Sequence, residues 1–475
     1  MTQMTQIPLR LAVVGHTNTG KTSLLRTLLR NPHFGEVRDE AGTTRHVESA
    51  RLMVDGQVIM ELFDTPGLED SMALLDALES QFAGDGRRRD GPDMIAAFLD
   101  SPQARGRFEQ EARVLRTLLG CDAGLYVIDA RDPVLAKHRD ELRLLSYCGR
   151  PVLPSLNFTR EPGHQIEAWR EALARLGLHV IVEFDTVAPA LDGEQQLYER
   201  LSVLMDRHAA SLQALTRNVV GQRMLRRMDG CRLIADMLID VAALRLMTPA
   251  DDAAVQQAST QLREQVRTRE QACVQGLLRR YRFETGSAAL QGLSLQGERW
   301  EMDLFHPQAL KEMGIHVGRG MAAGAVAGAT VDVFLGGLSL GAATLIGATA
   351  GGVWQGMDRW GRRLLGRLQG HRELTVDDPV LCLLIVRQLA LLQALERRGH
   401  AARDPVMLDT AETGDGTDST DNDAAADYRR GALPEALEHA RAHPQWSALA
   451  PAHAPSAQRE TAMQQLADRL AQSLA

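Results

Sequence analysis

Short apolar runs alternate with amphipathic stretches from residue 9 to about 187, the pattern of βαβ units around a parallel sheet. Strand-type runs fall at 9–14, 46–54, 57–63, 123–129, 151–156 and 179–184. Helical spacing follows Gly20 and returns at 71–81, 107–119, 134–147, 165–176 and 195–208. One segment, 84–106, opens with GDGRRRDGPD and breaks the rhythm. It reads as an insertion, a loop carrying one short helix. From about 190 to 310 the period is helical nearly throughout, with long amphipathic runs at 231–246 and 253–281 and little strand signal. A last amphipathic piece spans 459–474. The fold class expected is an α/β domain with a mostly parallel sheet and helices on both faces, followed by a mainly helical region.

Residues 404–427 hold eight acidic side chains and no basic one among Thr, Gly and Asn. Such a composition buries no core, so an acidic disordered linker is expected there. The domains expected are therefore 1–190, a helical domain over 191–403, the linker 404–427 and a helical segment 428–475. At 475 residues and 44% apolar the chain is long enough for that division. Its net charge of −8 argues against a general nucleic-acid binder, DNA included. RNA and ribosome contacts are not legible. Five dispersed cysteines without a CxxC pair argue against a disulfide framework and a structural zinc site. The start, MTQMTQIPLRLAVVG, lacks the organisation of a signal peptide, so a cytoplasmic location is expected.

The chemistry sits just after the first strand-type run. GHTNTGKT, Gly15 to Thr22, fits G-x-x-x-x-G-K-[ST]. The amides of Gly15, His16, Thr17, Asn18, Thr19, Gly20, Lys21, Thr22 and Ser23 would wrap a diphosphate at a helix N-terminus. Lys21 would lie against the β- and γ-phosphates and the Thr22 hydroxyl would ligate Mg²⁺. The ring of His16 is expected to face solvent. About forty residues on, the third run ends in Asp64-Thr65-Pro66-Gly67. Asp64 would hold Mg²⁺ through water, and the Gly67 amide would meet the γ-phosphate. Between the two motifs lies Ala41-Gly42-Thr43-Thr44-Arg45, where Thr44 would complete the metal shell once a γ-phosphate is present.

GHTNTGKT, GTTR and DTPG together resemble the translation-factor-related GTPases of the Era/TrmE/EngA branch, over roughly the first 190 residues. The resemblance implies GTP hydrolysis to GDP and phosphate, with Lys21, Thr44 and Gly67 at the reacting phosphate. Asn18 stands where potassium-activated members carry an Asn that helps hold K⁺. Leu68 stands where Ras-type enzymes carry the water-orienting Gln, so hydrolysis is expected to be slow alone. Help would come from K⁺, from homodimerisation across the switch loops, or from a partner. The base motif departs from the family's N-K-x-D. Asn157 is kept, Phe158 replaces Lys, and Arg160, which offers only donors, replaces the Asp that pairs with guanine. Phe158 can still stack on the base, while Glu161 and Asp185 are the nearby carboxylates. An ATP-using P-loop NTPase is the alternative this departure leaves open.

Residues 313–357 are glycine-rich, with Gly320, Gly324 and Gly328 at helical small-residue spacing. The run 333–354 carries no charge and is long enough to cross a bilayer, although six of its 22 residues are Gly. A packed helical hairpin in a soluble domain and contact with the inner membrane are equal expectations. If the membrane is engaged, the helical region becomes an assembly or remodelling module timed by the nucleotide. A GTPase domain with Asn-Phe for Asn-Lys, joined to a Gly-rich helical half, also resembles an uncharacterised bacterial GTPase family whose C-terminal domain has no assigned function.

Overall fold

In the computed structural model the described residues are 7–31, 33–34, 48–83, 90–161, 163–283, 295–296, 299–300, 302–315, 338–339, 371–398, 425–451 and 453–474. The chain divides into two compact units, Met1–Arg223 with Arg397–Arg403, and Met224–Glu396 with Asp404–Ala475.

The first unit is an α/β domain. Its strands are β1 (Leu9–Val14), β2 (Glu48–Val54), β3 (Gln57–Asp64), β4 (Ala123–Asp129), β5 (Val152–Asn157) and β6 (Val182–Glu183). They lie in the order β2-β3-β1-β4-β5-β6. Only β2 runs antiparallel to its neighbour, through a tight hairpin at Asp55 and Gly56, where φ is +49° and +78°. The helices are α1 (Lys21–Leu29), α2 (Ser71–Ala83), α3 (Gly91–Asp100), α4 (Glu109–Leu119), α5 (Ala136–Ser146), α6 (Ile166–Arg175) and α7 (Gly193–Leu204).

Alternation along β1 explains why helices cover both faces. Leu11 and Val13 enter one core with Leu24 and Leu25 of α1 and Leu197 and Leu201 of α7. Ala12 and Val14 enter the other with Leu74 of α2, Leu115 of α4 and Leu145 of α5. A strand buried on both sides reads as a continuous apolar run, which is how LRLAVV reads.

The insertion is more structured than its composition suggested. Asp90 caps α3 by accepting from the Asp93 amide at 3.1 Å, and Pro92 occupies the first turn. Ile95 and Phe98 are then fully buried in the sheet's core. Apolar residues at i and i+3 were enough to dock the segment once a cap started the helix. Residues 84–89 lie outside the described residues.

The division expected near 190 falls instead between Arg223 and Met224, inside α8 (Ala209–Ala243). The reason is that α7, together with Leu212 and Leu215 of α8, closes one face of the sheet. Strand signal was also missed in the second unit. The helix expected to run to 246 stops at Ala243, and β7 (Leu246–Pro249) pairs antiparallel with the strand His371–Val376. The latter pairs in turn with Leu338–Ser339, a short strand inside the segment expected to be a helical hairpin. The rest of 316–370, with the uncharged run, lies outside the described residues. So do residues 404–424 of the acidic segment; its last residues enter the short helix Ala426–Arg429.

The second unit's core gathers α8, α9 (Asp252–Tyr281), the helix Asp378–Glu396 and the C-terminal helices Glu435–Ala442 and Ala457–Ser473. Among the described residues, Asp378–Glu396 is the one helix long and apolar enough to cross a membrane, and 72% of its apolar window is buried inside the protein. Ion pairs tie the bundle together. Asp236 and Asp240 of α8 receive Arg269 of α9 at 2.6 and 2.7 Å and Arg459 of the last helix at 2.6 and 2.8 Å. Asp240 also accepts from the Ala448 amide at 2.9 Å and its side chain is buried. Removing it leaves two largely buried guanidinium groups to share Asp236 alone and strands the Ala448 amide. Asp240→Ala is therefore expected to cost about 3–5 kcal/mol of stability in chemical denaturation, the range for breaking a buried ion pair from one side. An unchanged midpoint would contradict this network.

Candidate functional site

The C-terminal ends of β1, β3 and β5 bring three segments of sequence to one place. The first is the turn from β1 into α1. Gly15 has φ +146° and a Cβ there would stand 2.5 Å from the Val127 carbonyl oxygen. Gly20 has φ +91° and a Cβ there would meet Asn157 Nδ2 at 2.3 Å. Both positions require glycine, for conformation and for space. Asn18, at φ +66°, takes a left-handed conformation that Asn tolerates, and it is exposed.

Inside this turn lies the Lys21 ammonium, 7% exposed. It donates to the carbonyls of His16 at 2.6 Å and Gly15 at 3.2 Å. Burial pushes its pKa down to about 8, against the pull of Asp64, Glu141 and Glu69. A buried cation whose hydrogen bonds go to backbone carbonyls fits a site for an anion.

The second segment is the DTPG turn. Thr22 Oγ1 donates to Asp64 Oδ2 at 2.7 Å. Asp64 is fully buried, its carboxyl is pushed up mainly by desolvation, and its Oδ1 has no hydrogen-bond partner. A hydroxyl beside a carboxylate with a spare oxygen fits a hard cation such as Mg²⁺, which takes oxygen ligands and would supply the missing partner. Among the described residues no cluster of three or more His, Cys, Asp or Glu side chains is arranged for a metal. Thr65 ties the turn to β1 by donating to the Val13 carbonyl at 2.7 Å. The Leu68 amide donates to Gly15 O at 3.1 Å, and Thr17 Oγ1 donates to Glu69 at 3.1 Å.

The third segment follows β5. Asn157 is buried and spends its whole amide on scaffolding. Nδ2 donates to Thr19 O at 3.0 Å, and Oδ1 accepts from the Phe158 and Thr186 amides at 2.9 Å each. It thus binds the phosphate loop to the strands that carry the base side. Phe158 has φ +57° and its ring lies under the Arg131 guanidinium, 4.0 Å away. Arg131 is paired with Asp129 and Glu161. Asp185 accepts from the amides of Arg160, Val187 and Ala188. Both carboxylates near the base side are therefore already engaged.

The structure thus assembles Gly15 to Ser23, Asp64, Gly67, Asn157 and Phe158 in one region. Thr44 lies outside the described residues. One side chain departs from expectation: the His16 ring does not face solvent. Its Nδ1 is 2.8 Å from Glu141 Oε1, and Lys137 Nζ is 3.0 Å from Nε2. With an ammonium donating to Nε2, the ring proton belongs on Nδ1. Tyr126 OH donates to the other Glu141 oxygen at 2.7 Å, and Glu141 is fully buried. Sequence reading missed Glu141 of α5, which meets His16, and Tyr126 of β4, which meets Glu141, because both lie more than a hundred residues from His16. It also missed Gln110 and Glu111 of α4, whose first turn grips the DTPG turn. Gln110 Nε2 donates to Gly67 O at 2.6 Å, and Glu111 Oε1 accepts from the Glu69 and Asp70 amides.

Comparison with known proteins divides the chain earlier than the structural units do, between 157 and 170. Residues 10–157 match the family described as 50S ribosome-binding GTPase. Residues 170–470 match the family described as domain of unknown function (DUF3482). Over 167 residues the chain is 32% identical to the tRNA modification GTPase MnmE of Rhodospirillum rubrum, covering 35% of this chain and 34% of that one. Over 140 residues it is 31% identical to GTPase Der of Azorhizobium caulinodans, covering 28% and 27%. The chain spans between 15% and 34% of the length of the curated relatives it matches. A crystal structure of Era in complex with MgGDPNP and nucleotides of 16S ribosomal RNA aligns at 17% identity with a TM-score of 0.29, over 41% of this chain and 56% of that one.

Contact between the loop and the DTPG turn is close enough to test. A Cβ on Gly67 would stand 2.3 Å from Thr17 Oγ1 and 2.7 Å from the Thr17 backbone. Gly67→Ala must push the two segments apart, an overpacking cost of about 1–3 kcal/mol. A lowered melting temperature is expected; wild-type stability would mean that the turn does not sit on the loop.

Proposed function

The chain belongs to the family described as domain of unknown function (DUF3482), with a P-loop GTPase domain ahead of it, and from that premise we propose that it binds GTP and hydrolyses it to GDP and phosphate. One observation carries the proposal. A buried ammonium and an orphaned carboxylate oxygen converge on a glycine-shaped turn, and a Mg²⁺–triphosphate supplies what both lack.

The roles follow from the geometry. Loop amides and Lys21 bind the phosphate tail and neutralise charge that grows as the γ-phosphoryl group departs. Thr22 and Asp64 would hold Mg²⁺, with Thr44 as the further side-chain ligand. When bound, the ion would withdraw charge from the phosphate oxygens. The Gly67 amide orients the γ-phosphate. Asn18, exposed at the lip of the loop, is the candidate K⁺ ligand. Phe158 offers a stacking surface for the base. The match to GTPases over 10–157 supports guanine over adenine, despite Arg160. A nucleotide-dependent switch follows: losing the γ-phosphate releases the DTPG turn, which α4 also holds.

Competition of GTP, ATP and XTP against a fluorescent guanine nucleotide tests the substrate. GTP is expected to displace it at least about tenfold better than ATP; equal displacement would make the chain a general NTPase. Lys21→Ala is expected to weaken GTP binding by about 100-fold or more, ~2.7 kcal/mol, with the fold retained. Binding at wild-type affinity would refute the site.

Protonation offers an independent check. Free Lys21 titrates at about 8, and a bound polyanion raises that value. Nucleotide binding near pH 8.5 must therefore take up protons, by the linkage between binding and titration. Calorimetry in buffers of different ionisation enthalpy is expected to show uptake. Proton release on binding would contradict a buried ammonium facing phosphate.

A further inference from the structure

Three carboxylates surround the Lys21 ammonium, and two have evident places. Asp64 belongs to the metal corner, and Glu69 is exposed beside the DTPG turn. Glu141 of α5 is different. It is fully buried, and among the described residues no arginine or lysine lies within ion-pair distance of it. Taking a carboxylate out of water without such a partner is costly, so the groups it holds define its part. One oxygen accepts from Tyr126 OH at 2.7 Å, the other from His16 Nδ1 at 2.8 Å.

Lys137 and Glu141 stand four residues apart on α5, a spacing that puts both on one face of the helix. They grip the His16 ring by its two nitrogens, Lys137 Nζ at 3.0 Å from Nε2 and Glu141 on Nδ1. His138 of the same helix meets that ring edge-on, 6.1 Å between centroids, and leans in turn on Trp169. The imidazole is therefore fixed in place and in tautomer. The backbone of the same residue does a second job. His16 O accepts from Lys21 Nζ at 2.6 Å, the shorter of the ammonium's two contacts, and from Thr19 Oγ1 at 3.1 Å. Ring and carbonyl share one Cα, so the grip on the ring is a grip on the carbonyl.

Resting on the nucleotide-binding reading above, we propose that Glu141 is a positioning residue for the phosphate site: through the His16 ring it fixes the carbonyl that holds the Lys21 ammonium, and so sets the affinity for a guanine nucleotide's phosphate tail. Glu141 itself touches no phosphate. Its oxygens are spent on Tyr126 and His16, and its effect is transmitted by residue 16. Glu141 also attracts the ammonium through space, as Asp64 and Glu69 do. That attraction does not pass through the imidazole, so removing the imidazole separates the two routes.

A double-mutant cycle on GTP and GDP binding by the full chain tests this. Glu141→Ala and His16→Ala are each expected to weaken binding about tenfold, and the double variant no more than about twofold beyond the weaker single, because both cut the same line. Losses that multiply to about 100-fold would put the effect of Glu141 outside His16 and overturn the proposal. So would wild-type affinity in a folded Glu141→Ala chain. Glu141→Gln keeps the volume and an oxygen for Nδ1–H, and is expected to stay within about threefold of wild type. A loss as large as that of Glu141→Ala would make charge the cause and overturn the proposal too. The wild-type chain gives a reading that needs no buried substitution. Ring-nitrogen NMR without nucleotide, with the His16 signal identified by its loss in His16→Ala, is expected to find the proton on Nδ1. A proton on Nε2 would overturn the proposal even if the Glu141 variants do not fold. A wild-type chain that binds neither nucleotide would sink the broader reading and this one with it, a result that the wild-type binding measurement alone identifies.

Discussion

A positive charge buried with backbone carbonyls as its hydrogen-bond acceptors is the constraint around which the phosphate-loop side of the α/β unit is arranged. Lys21 is almost enclosed, and the nearest groups to its ammonium are two backbone carbonyls of its own loop. Holding it there needs a turn that L-residues adopt poorly, hence the left-handed backbone at Asn18 and Gly20. It also needs the turn braced from outside. Asn157 supplies that brace from β5, and the His16–Glu141–Tyr126 chain supplies it from α5 and β4. Desolvation then makes both the ammonium and the Asp64 carboxylate poorly satisfied until charge of the opposite sign arrives. Left-handed backbone at Asn18 and Gly20 and the unpartnered Asp64 Oδ1 meet in this corner, as strained and unsatisfied groups do at binding sites.

Much of this was legible in the sequence, for a local reason. The phosphate loop and the DTPG turn are contiguous motifs, and a doubly buried parallel strand announces itself as an apolar run. What escaped was everything set by distance along the chain. Glu141 reads as one more acidic residue on an amphipathic helix until the fold places it, buried, against His16. Gln110 looks like a solvent-side position of α4, because nothing local says that Gly67 will lie within reach. The one short helix expected in the insertion is Gly91–Asp100, but the charged, glycine-rich stretch before it gave no sign that Ile95 and Phe98 would be buried in the core. Domain arithmetic failed for a related reason. Helical periodicity marks α7 and α8 as helices but does not say which core receives them.

The second unit stands on a different principle. Its buried helix Asp378–Glu396 is apolar enough to suggest a membrane span, yet it is enclosed by the other helices of its own unit. Specific pairing comes from arginine: Arg269 and Arg459 share Asp236 and Asp240, and Arg227 forks onto Glu396. A bundle held in register this way is a defined body, and its family description assigns it no activity.

The site is a nucleotide site only if the backbone of residues 15–22 receives phosphate. Amide hydrogen exchange of the full chain, with and without GTP and Mg²⁺, measures this where it happens. Slowed exchange over 15–22 and 64–68, lost when the metal is chelated, is the outcome required. Exchange in those peptides that is indifferent to nucleotide would contradict the central claim.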